Sequence, residues 1–308
     1  MRVLVAGSTG VIGSRLVPLL DAVGHEVVGL ARSADRATGR IVTADALDRD
    51  GLARAVAEAA PDAVVNLLTA IPAAPDPRHL ARDFAVTNRL RTEGTRNLYE
   101  AAERAGATRV LAQGLAYAYQ PAGGLADEDA PLWTDHTPKQ FAPVLRALME
   151  LERLTAGAGG LVLRFGHLYG PGSAYAPDGS FTAQVRAGKV PVVGGGHATL
   201  SFTHADDAAT ALVAALDKDA TGALNVVDDT PVTMGEFLPE YAEMLDAPAP
   251  KRAPAALARL AVGSWGVAFM NGLRGAGNTR ARLRLDWRPR YASWQDGVGS
   301  PGDTARAA

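Results

Sequence analysis

The sequence predicts an α/β fold in which a doubly wound parallel sheet is combined with a smaller, interleaved lobe. Short apolar runs rich in valine and leucine alternate with longer segments of helical spacing, and glycine- and proline-rich loops interrupt this pattern after about residue 165. Strands that are apolar on both faces and separated by helices are typical of a parallel sheet covered on both sides. The runs are RVLVAG, HEVVGLA, GRIVTAD, DAVVNLLTA, TRVLAQGLA, GLVLRFG and GALNVVD.

Two helices of the first half have recognisable ends. The first is predicted over residues 14–23, with Pro18 in its first or second turn and Gly24 in position to end it. Another is predicted over residues 92–105, and Gly106 would end it in the same way. Both helices would cross from one parallel strand to the next, because parallel neighbours need a long connection.

Two segments of the second half have a less obvious role. FTHADDAATAL contains His204, Asp206 and Asp207, and it is typical of a helix N-terminus, where acidic groups offset the helix dipole. We therefore predict no metal site there. RARLRLDW alternates apolar and basic residues, as a strand with a solvated arginine face would.

Composition limits the kind of partner. The chain is 47% hydrophobic and 21% charged, which is enough apolar material for a large core. A formal net charge of -2 gives no reason to expect a nucleic acid or an anionic membrane, so we expect a small-molecule partner. The sequence has no cysteine, no apolar run near the roughly 18 residues of a membrane span, and a first strand beginning at Arg2. These features favour a cytoplasmic protein.

The glycine-rich turn predicts a nucleotide site. Gly7, Gly10 and Gly13 lie between the first strand and the first helix, where bare backbone can approach a pyrophosphate and helix amides can hold it. Their spacing, GxxGxxG, is one residue wider than the dinucleotide pattern GxGxxG. The alternative is a glycine-rich turn that binds nothing.

The end of the second strand predicts which nucleotide is bound. In NAD-binding units an acidic residue near this point takes the ribose hydroxyls, whereas an arginine accommodates a 2′-phosphate. The segment GLARSADR places Arg32 and Arg36 there. We therefore expect NADP(H) in preference to NAD(H), the alternative being that both arginines are solvated surface residues.

Several segments in order resemble the extended short-chain dehydrogenase/reductase superfamily, its NAD(P)-dependent epimerase/dehydratase group. They are VLVAGSTGVIGSRLVPLL, TADALD, EGTRNLYEAAERAGATRVL, LVLRFGHLYGPG, LSFTHADDAATALVAAL and RARLRLDWRPRYASWQDG. The resemblance implies a Rossmann-type NAD(P)-binding domain with a substrate-binding lobe interleaved with it, and it is compatible with a homodimer. We predict the first at residues 1–165 and 198–230, the second at 166–197 and 231–298, and a flexible tail at 299–308.

The resemblance also implies a catalytic serine or threonine with a YxxxK pair, from which this chain departs. The segment DHTPKQFAPVLRALMELERLTAG contains no tyrosine. If Glu150 is the glutamate that follows the lysine by four, Arg146 takes the lysine position and Ala142 the tyrosine position. Gly114 and Leu115 stand where a serine pair is usual. We therefore predict an atypical active site.

Other residues could carry the chemistry. Tyr117 and Tyr119 follow a central strand, at the edge where open α/β sheets place ligands. His167 lies in the loop after LVLRF and is a candidate for titration near neutral pH. The alternatives are that the two rings only line the cleft and that the histidine only holds its loop.

The predicted cofactor residues complete the site. We assign the pyrophosphate to the glycine-rich turn, the 2′-phosphate to the two arginines, the adenine side to Asp45 and Leu67, and the nicotinamide side to Gln113 and the tyrosines. The full set is Gly7, Thr9, Gly10, Val11, Ile12, Gly13, Arg32, Arg36, Asp45, Leu67 and Gln113.

These features predict an NADP(H)-dependent enzyme, of oxidoreductase or epimerase/dehydratase type, that acts on a small organic substrate. Two alternatives stay open at this point. One is a redox-neutral or cofactor-independent cyclase, isomerase or lyase on the same fold. The other is a non-catalytic NADP(H) sensor or partner-binding protein.

Overall fold

The computed structural model describes residues 1–34 and 39–298. Arg36 and the predicted flexible tail, 299–308, lie outside the described residues. The strands are β1 (Arg2–Ala6), β2 (Glu26–Ala31), β3 (Arg40–Thr43), β4 (Ala63–Asn66), β5 (Arg109–Leu115), β6 (Leu161–Phe165), β7 (His167–Tyr169), β8 (Val192–Val193), β9 (Thr199–Leu200), β10 (Phe202–His204), β11 (Gly222–Val226), β12 (Val232–Thr233) and β13 (Arg252–Ala253).

Helices alternate with these strands along the chain. They are α1 (Gly13–Ala22), α2 (Arg49–Ala59), α3 (Leu80–Asp83), α4 (Ala85–Arg89), α5 (Thr95–Arg104), α6 (Ala142–Gly157), α7 (Ser180–Arg186), α8 (Ala205–Leu216), α9 (Met234–Met244), α10 (Ala255–Asn271), α11 (Thr279–Leu285) and α12 (Trp294–Gly297). A π-helical turn, Leu90–Gly94, joins α4 to α5.

Seven strands form one parallel sheet in the order β11-β6-β5-β4-β1-β2-β3. This architecture confirms the predicted fold class. The order runs outward in both directions from β1 and β4, which pair side by side, for example Val5 with Val65. Ligands of such sheets bind at the carboxyl ends of the strands where the order reverses, so the fold places a cleft beyond these two strands.

Helices cover both faces of the sheet. On one face α1 packs against α8, and Leu16, Leu20 and Leu212 are buried there. On the other face α2 packs against α5, and Val56 and Leu98 are buried there. Each helix presents an apolar stripe to strands that are themselves apolar on both sides, as the sequence pattern predicts.

Three of the local predictions can be compared with the structure. The first helix contains Pro18 and gives way to Gly24, whose φ of +89° suits a glycine. The helix predicted over 92–105 begins later, at Thr95, because the π-helical turn occupies the residues before it. The strand expected in RARLRLDW is wrong. Most of this segment lies in α11, whose i, i+4 spacing buries Ala281 and Leu285 on one face.

A second hydrophobic cluster lies beside the sheet domain. Three two-stranded ladders, β7 with β10, β8 with β13 and β9 with β12, surround rings that include Phe202, Phe237, Tyr241 and Trp294. The division of the chain into two interleaved lobes stays a prediction. Among the described helices, none is both long and apolar enough to cross a membrane.

Candidate active site

The glycine-rich turn is closed so tightly that side chains do not fit. Gly7 has a φ of +90°, and a Cβ built on it would lie 2.8 Å from the carbonyl oxygen of Leu67. A Cβ on Gly13 would overlap the carbonyl oxygen of Gly7 and lie 2.8 Å from the Cα of Ser8. The amide of Gly10 donates a hydrogen bond to the Gly7 carbonyl at 3.0 Å. At Gly7 and Gly13 the turn therefore has bare backbone with no room for a side chain.

The turn leads directly into α1, and the start of this helix lacks a side-chain cap. Ile12 occupies the N-cap position, no side chain of the described residues caps the first turn, and the amides of Ser14 and Leu16 donate to the backbone carbonyls of Gly10 and Ile12. The positive end of the helix dipole at this N-terminus favours an anion. The turn and α1 together fit a pyrophosphate.

A cleft of about 170 Å³ opens beside the turn and reaches across the ends of β1, β2 and β4. It brings together the predicted residues of the turn, of the second strand and of the adenine side. The cleft is lined by Gly7, Thr9, Gly10, Leu30, Ala31, Arg32, Ala44, Asp45, Ala46, Leu47, Leu67, Leu68, Thr69, Val86 and Leu90.

Two charged residues stand in the walls of this cleft. Arg32 follows β2, is exposed, and forms no ion pair with any described residue. Asp45 accepts a hydrogen bond from the amide of Leu47 at 2.9 Å, which orients its carboxylate in the loop after β3. Four of the predicted cofactor residues do not line this cleft. Val11, Ile12 and Gly13 lie at the start of α1, and Gln113 lies within β5, beyond β4.

Tyr117 and His167 meet at the carboxyl end of the sheet. Tyr117 follows β5, and its ring stacks on that of His167 with centroids 4.6 Å apart and planes 10° apart. The Tyr117 hydroxyl makes no hydrogen bond to any described residue, and burial raises its pKa. The phenol is therefore neutral at neutral pH and free to donate a hydrogen bond to a ligand.

His167 is deeply buried. It is 5% exposed, and this burial lowers its pKa to about 3. The expectation that it titrates near neutral pH is therefore wrong, because the ring stays neutral throughout that range. Its Nε2 atom has no hydrogen-bond partner among the described residues, and Phe269 contacts the ring edge-on with centroids 5.4 Å apart.

Tyr119 lies elsewhere, in a buried polar network. Its hydroxyl donates a hydrogen bond to Asn225 Oδ1 at 2.6 Å and accepts one from Arg164 Nη1 at 2.7 Å. Arg164 in turn forms two hydrogen bonds to the carboxylate of Glu152, at 2.8 and 2.7 Å. Tyr119 has no exposed surface. The structure therefore does not bring the two predicted tyrosines together.

The same network identifies the inward face of α6. Glu152 points at Arg164 of β6, and the residues four and eight positions before it, Leu148 and Val144, are both buried. Arg146 is exposed. If the glutamate of the YxxxK pattern is the one that faces the sheet, Leu148 and Val144 take the lysine and tyrosine positions. The alignment on Glu150 stays a prediction, and on this second alignment both positions are apolar.

Sequence reasoning missed Arg91, which is 3% exposed and lies on the π-helical turn before α5. The sequence contained one signal, the four-residue spacing of Thr87, Arg91 and Thr95, which places residues on one side of a helix. The structure buries all three. No described residue forms a hydrogen bond or an ion pair with Arg91, and its Nη1 atom is buried without a partner. The charge of Arg91 interacts with Tyr117, which raises the pKa of the arginine, while burial lowers it by more.

Known proteins similar to this chain fall in one group. The model of the NAD dependent epimerase/dehydratase family matches residues 3–227. A protein of a Streptomyces species named 3-diazoavenalumate denitrifying reductase is 50% identical, over 97% of this chain and 99% of that protein.

Solved structures of this group share the fold. UDP-glucose 4-epimerase of Thermus thermophilus, in complex with NAD, superposes with a TM-score of 0.75 at 24% identity, covering all of both chains. A human epimerase family protein with NADPH superposes with a TM-score of 0.73 at 23% identity, covering 99% of this chain and all of that one. The family model, the named reductase and the parallel sheet agree, and the chain belongs to the NAD dependent epimerase/dehydratase family as an oxidoreductase- or epimerase-like enzyme.

Proposed function

We propose that this protein is an NADP(H)-dependent reductase that removes dinitrogen from an aromatic diazo carboxylate and leaves hydrogen in its place. The name of the half-identical Streptomyces protein, a denitrifying reductase of a diazo compound, supports this substrate class. The observation that carries the proposal is a nucleotide cleft at the ends of β1, β2 and β4, together with a buried face of α6 that carries Val144 and Leu148 instead of a proton-transfer pair.

The nucleotide would be held by the backbone of the turn and by the residues of the cleft. The uncapped start of α1 and the bare turn fit the pyrophosphate, Arg32 fits a 2′-phosphate, and Asp45 and Leu67 flank the adenine side. Arg36, which lies outside the described residues, stays a predicted contact of the 2′-phosphate. When bound, NADPH supplies a hydride, so a carbon–hydrogen bond replaces the carbon–nitrogen bond and the electron pair of the latter leaves with dinitrogen.

This reaction requires little from the side chains. Reduction of a carbonyl creates an alkoxide that a positioned acid must protonate. Transfer of a hydride to an aryl diazonium, with loss of dinitrogen, gives a neutral arene and a neutral gas, so no proton is consumed. A neutral Tyr117 and a neutral His167 at the carboxyl end of the sheet, beside a buried apolar face of α6, suit the second reaction.

The aromatic residues at the carboxyl end of the sheet would orient the substrate ring. Tyr117 presents a ring backed by His167, which Phe269 in turn contacts edge-on. Offset or edge-to-face contacts with a substrate ring add about 0.5–1.5 kcal/mol beyond area burial. Tyr117 would also donate a hydrogen bond to a substrate oxygen, and the apolar walls would keep water from a reactive diazonium.

Transfer of the label from the cofactor tests this proposal. The protein is incubated with an aryl diazonium cinnamate and with NADPH that carries deuterium at its transferable position. We expect one dinitrogen released per NADPH oxidised and one deuterium at the carbon that carried nitrogen. Deuterium that enters only from heavy water, or release of nitrogen without oxidation of NADPH, would contradict the proposal. A reaction mixture without protein corrects for spontaneous hydrolysis of the diazonium.

Replacing Arg32 with alanine tests the cofactor preference. A charged hydrogen-bonding partner of a phosphate contributes about 1.5–3 kcal/mol, so NADPH should bind roughly 10- to 100-fold more weakly to Arg32→Ala. NADH lacks the phosphate and serves as the internal control, because its affinity should not change. Titration by nicotinamide fluorescence gives both constants, and an unchanged NADPH constant would show that Arg32 is only a surface residue.

A further inference from the structure

Arg91 is a buried cation without an anion. Its side chain is 3% exposed, and no carboxylate of the described residues lies within 4 Å of its guanidinium. The other buried arginines of the described chain have partners. Arg15 pairs with Asp206 at 2.8 Å, and Arg164 pairs with Glu152 at 2.7 Å. Arg91 therefore differs from Arg15 and Arg164 because it has no ion-pair partner among the described residues.

The lack of a counter-charge makes the burial of Arg91 energetically unfavourable. Burying a guanidinium without a counter-charge costs several kcal/mol in an apolar environment, and hydrogen bonds normally offset this cost. Burial lowers the pKa of Arg91 to about 10, so the group stays protonated at neutral pH. An anion that enters the interior would meet a charge already stripped of water, which strengthens the interaction.

The position of Arg91 is next to the nucleotide cleft. Leu90, its neighbour on the π-helical turn, lines the nucleotide cleft, as does Val86 one turn earlier. The charge of Arg91 also reaches Tyr117, whose hydroxyl has no partner among the described residues and whose ring stacks on His167. π-helical turns are frequent at functional sites because they redirect side chains. Here the turn carries a buried guanidinium whose charge acts on that phenol.

We propose that Arg91 and the hydroxyl of Tyr117 form a subsite for the carboxylate of the substrate, a role that rests on the proposed function and specifies its substrate. A planar guanidinium can donate two parallel hydrogen bonds to a carboxylate, and a neutral phenol can donate a third. The glycine-rich turn offers the pyrophosphate separate backbone donors at the start of α1. The anion at Arg91 is therefore assigned to the substrate and not to the cofactor.

Binding of an unreactive carboxylate tests the subsite. The probes are cinnamate and its neutral analogue cinnamamide, titrated calorimetrically into the protein saturated with NADP⁺. We expect cinnamate to bind more tightly than cinnamamide to the unmodified protein. In Arg91→Met the affinity for cinnamate should fall roughly 10- to 100-fold, while that for cinnamamide stays the same.

The matched control is Arg89→Met. Arg89 lies two residues earlier, is exposed, and pairs with Glu93 at 2.8 Å. This control should bind both probes as the unmodified protein does. Arg91→Met should also unfold at the same or a higher temperature, because it removes an unpaired buried charge. An arginine that only supports the fold would instead lose stability when replaced. Arg91→Lys keeps the positive charge but loses the paired hydrogen bonds of the guanidinium, so it should bind cinnamate with intermediate affinity. This variant replaces Arg91→Met in the test if the methionine variant does not fold.

Three outcomes would overturn the subsite. They are an unchanged affinity of Arg91→Met for cinnamate, an equal loss for both probes, and a loss of NADP⁺ affinity itself, which would make Arg91 a cofactor contact. These results are separate from the test of the proposed function. A protein can bind cinnamate through Arg91 and still release no dinitrogen, or release dinitrogen without discriminating between the two probes.

Discussion

Gly13→Val is expected to abolish nucleotide binding. Any side chain at this position overlaps the carbonyl oxygen of Gly7, and even a Cβ would lie 2.8 Å from the Cα of Ser8. These are backbone atoms of the turn itself, so they cannot rotate away as a side chain would. The turn must open, and the amides at the start of α1 then lose their alignment with the pyrophosphate. We expect NADPH affinity to fall by more than about 100-fold, which corresponds to roughly 3 kcal/mol or more.

A matched glycine serves as the control for this prediction. Gly24 has a φ of +89° but open space around it, so Gly24→Ala strains the backbone without a collision. It should lower stability by about 1 kcal/mol and leave NADPH affinity unchanged. Fluorescence titration measures binding, and circular dichroism during heating measures stability. A valine variant that still binds NADPH would mean that the nucleotide does not use this turn.

Arg164→Met is expected to destabilise the fold by about 3–5 kcal/mol. Arg164 is 6% exposed and joins Glu152 to the hydroxyl of Tyr119. Removing it leaves the partly buried carboxylate of Glu152 and the buried phenol of Tyr119 without their donor. Urea unfolding followed by tryptophan fluorescence gives the loss directly.

Tyr119→Phe separates structure from catalysis in the same network. It removes one hydroxyl that donates to Asn225, so stability should fall by about 1–3 kcal/mol. Turnover by the remaining folded protein should not change, because Tyr119 has no exposed surface. Arg153→Met is the surface control, since Arg153 is exposed, pairs with Glu150 and should cost less than about 1 kcal/mol. A loss of turnover in Tyr119→Phe at full stability would return this tyrosine to the catalytic candidates.

The proposed reaction gives a physical reason for an active site of this kind. In a reduction that expels dinitrogen, the leaving group carries away the electron pair of the broken bond, and the aromatic product needs no proton. A tyrosine with a depressed pKa and a lysine to depress it would therefore have no task at the reacting carbon. The chain keeps the cleft at β1 and β2, while the inward face of α6 carries Val144 and Leu148.

Much of the site could be predicted because its signals are local. The glycine spacing, the strand before it and the helix after it lie within the first 22 residues, and the cleft indeed collects the turn with Arg32, Asp45 and Leu67. The parallel sheet followed from apolar runs of strand length, because only a sheet covered on both faces needs strands that are apolar on both sides. Family and fold were therefore accessible from the order of motifs.

Burial and pairing were not accessible in the same way. Tyr117 and Tyr119 are two residues apart and are indistinguishable in the sequence pattern. The first stacks on His167, whereas the second accepts a hydrogen bond from Arg164, 45 residues further along the chain. Glu150 and Glu152 also read alike, and only the position of Arg164 shows which one faces the sheet. His167 lies after a strand, as predicted, but its neutrality depends on rings brought from distant segments.

The sequence by itself determined the order of strands and helices, the glycine-rich turn and the family, because periodicity, chain reversal and backbone freedom depend on neighbouring residues. The tertiary structure decided which polar side chains reach the cleft, which are locked in pairs, and which, like Arg91, are buried without a partner. The physical reason is that hydration and counter-charges are set by contacts between residues far apart in the chain, and those contacts exist only after the two halves of the molecule have packed together.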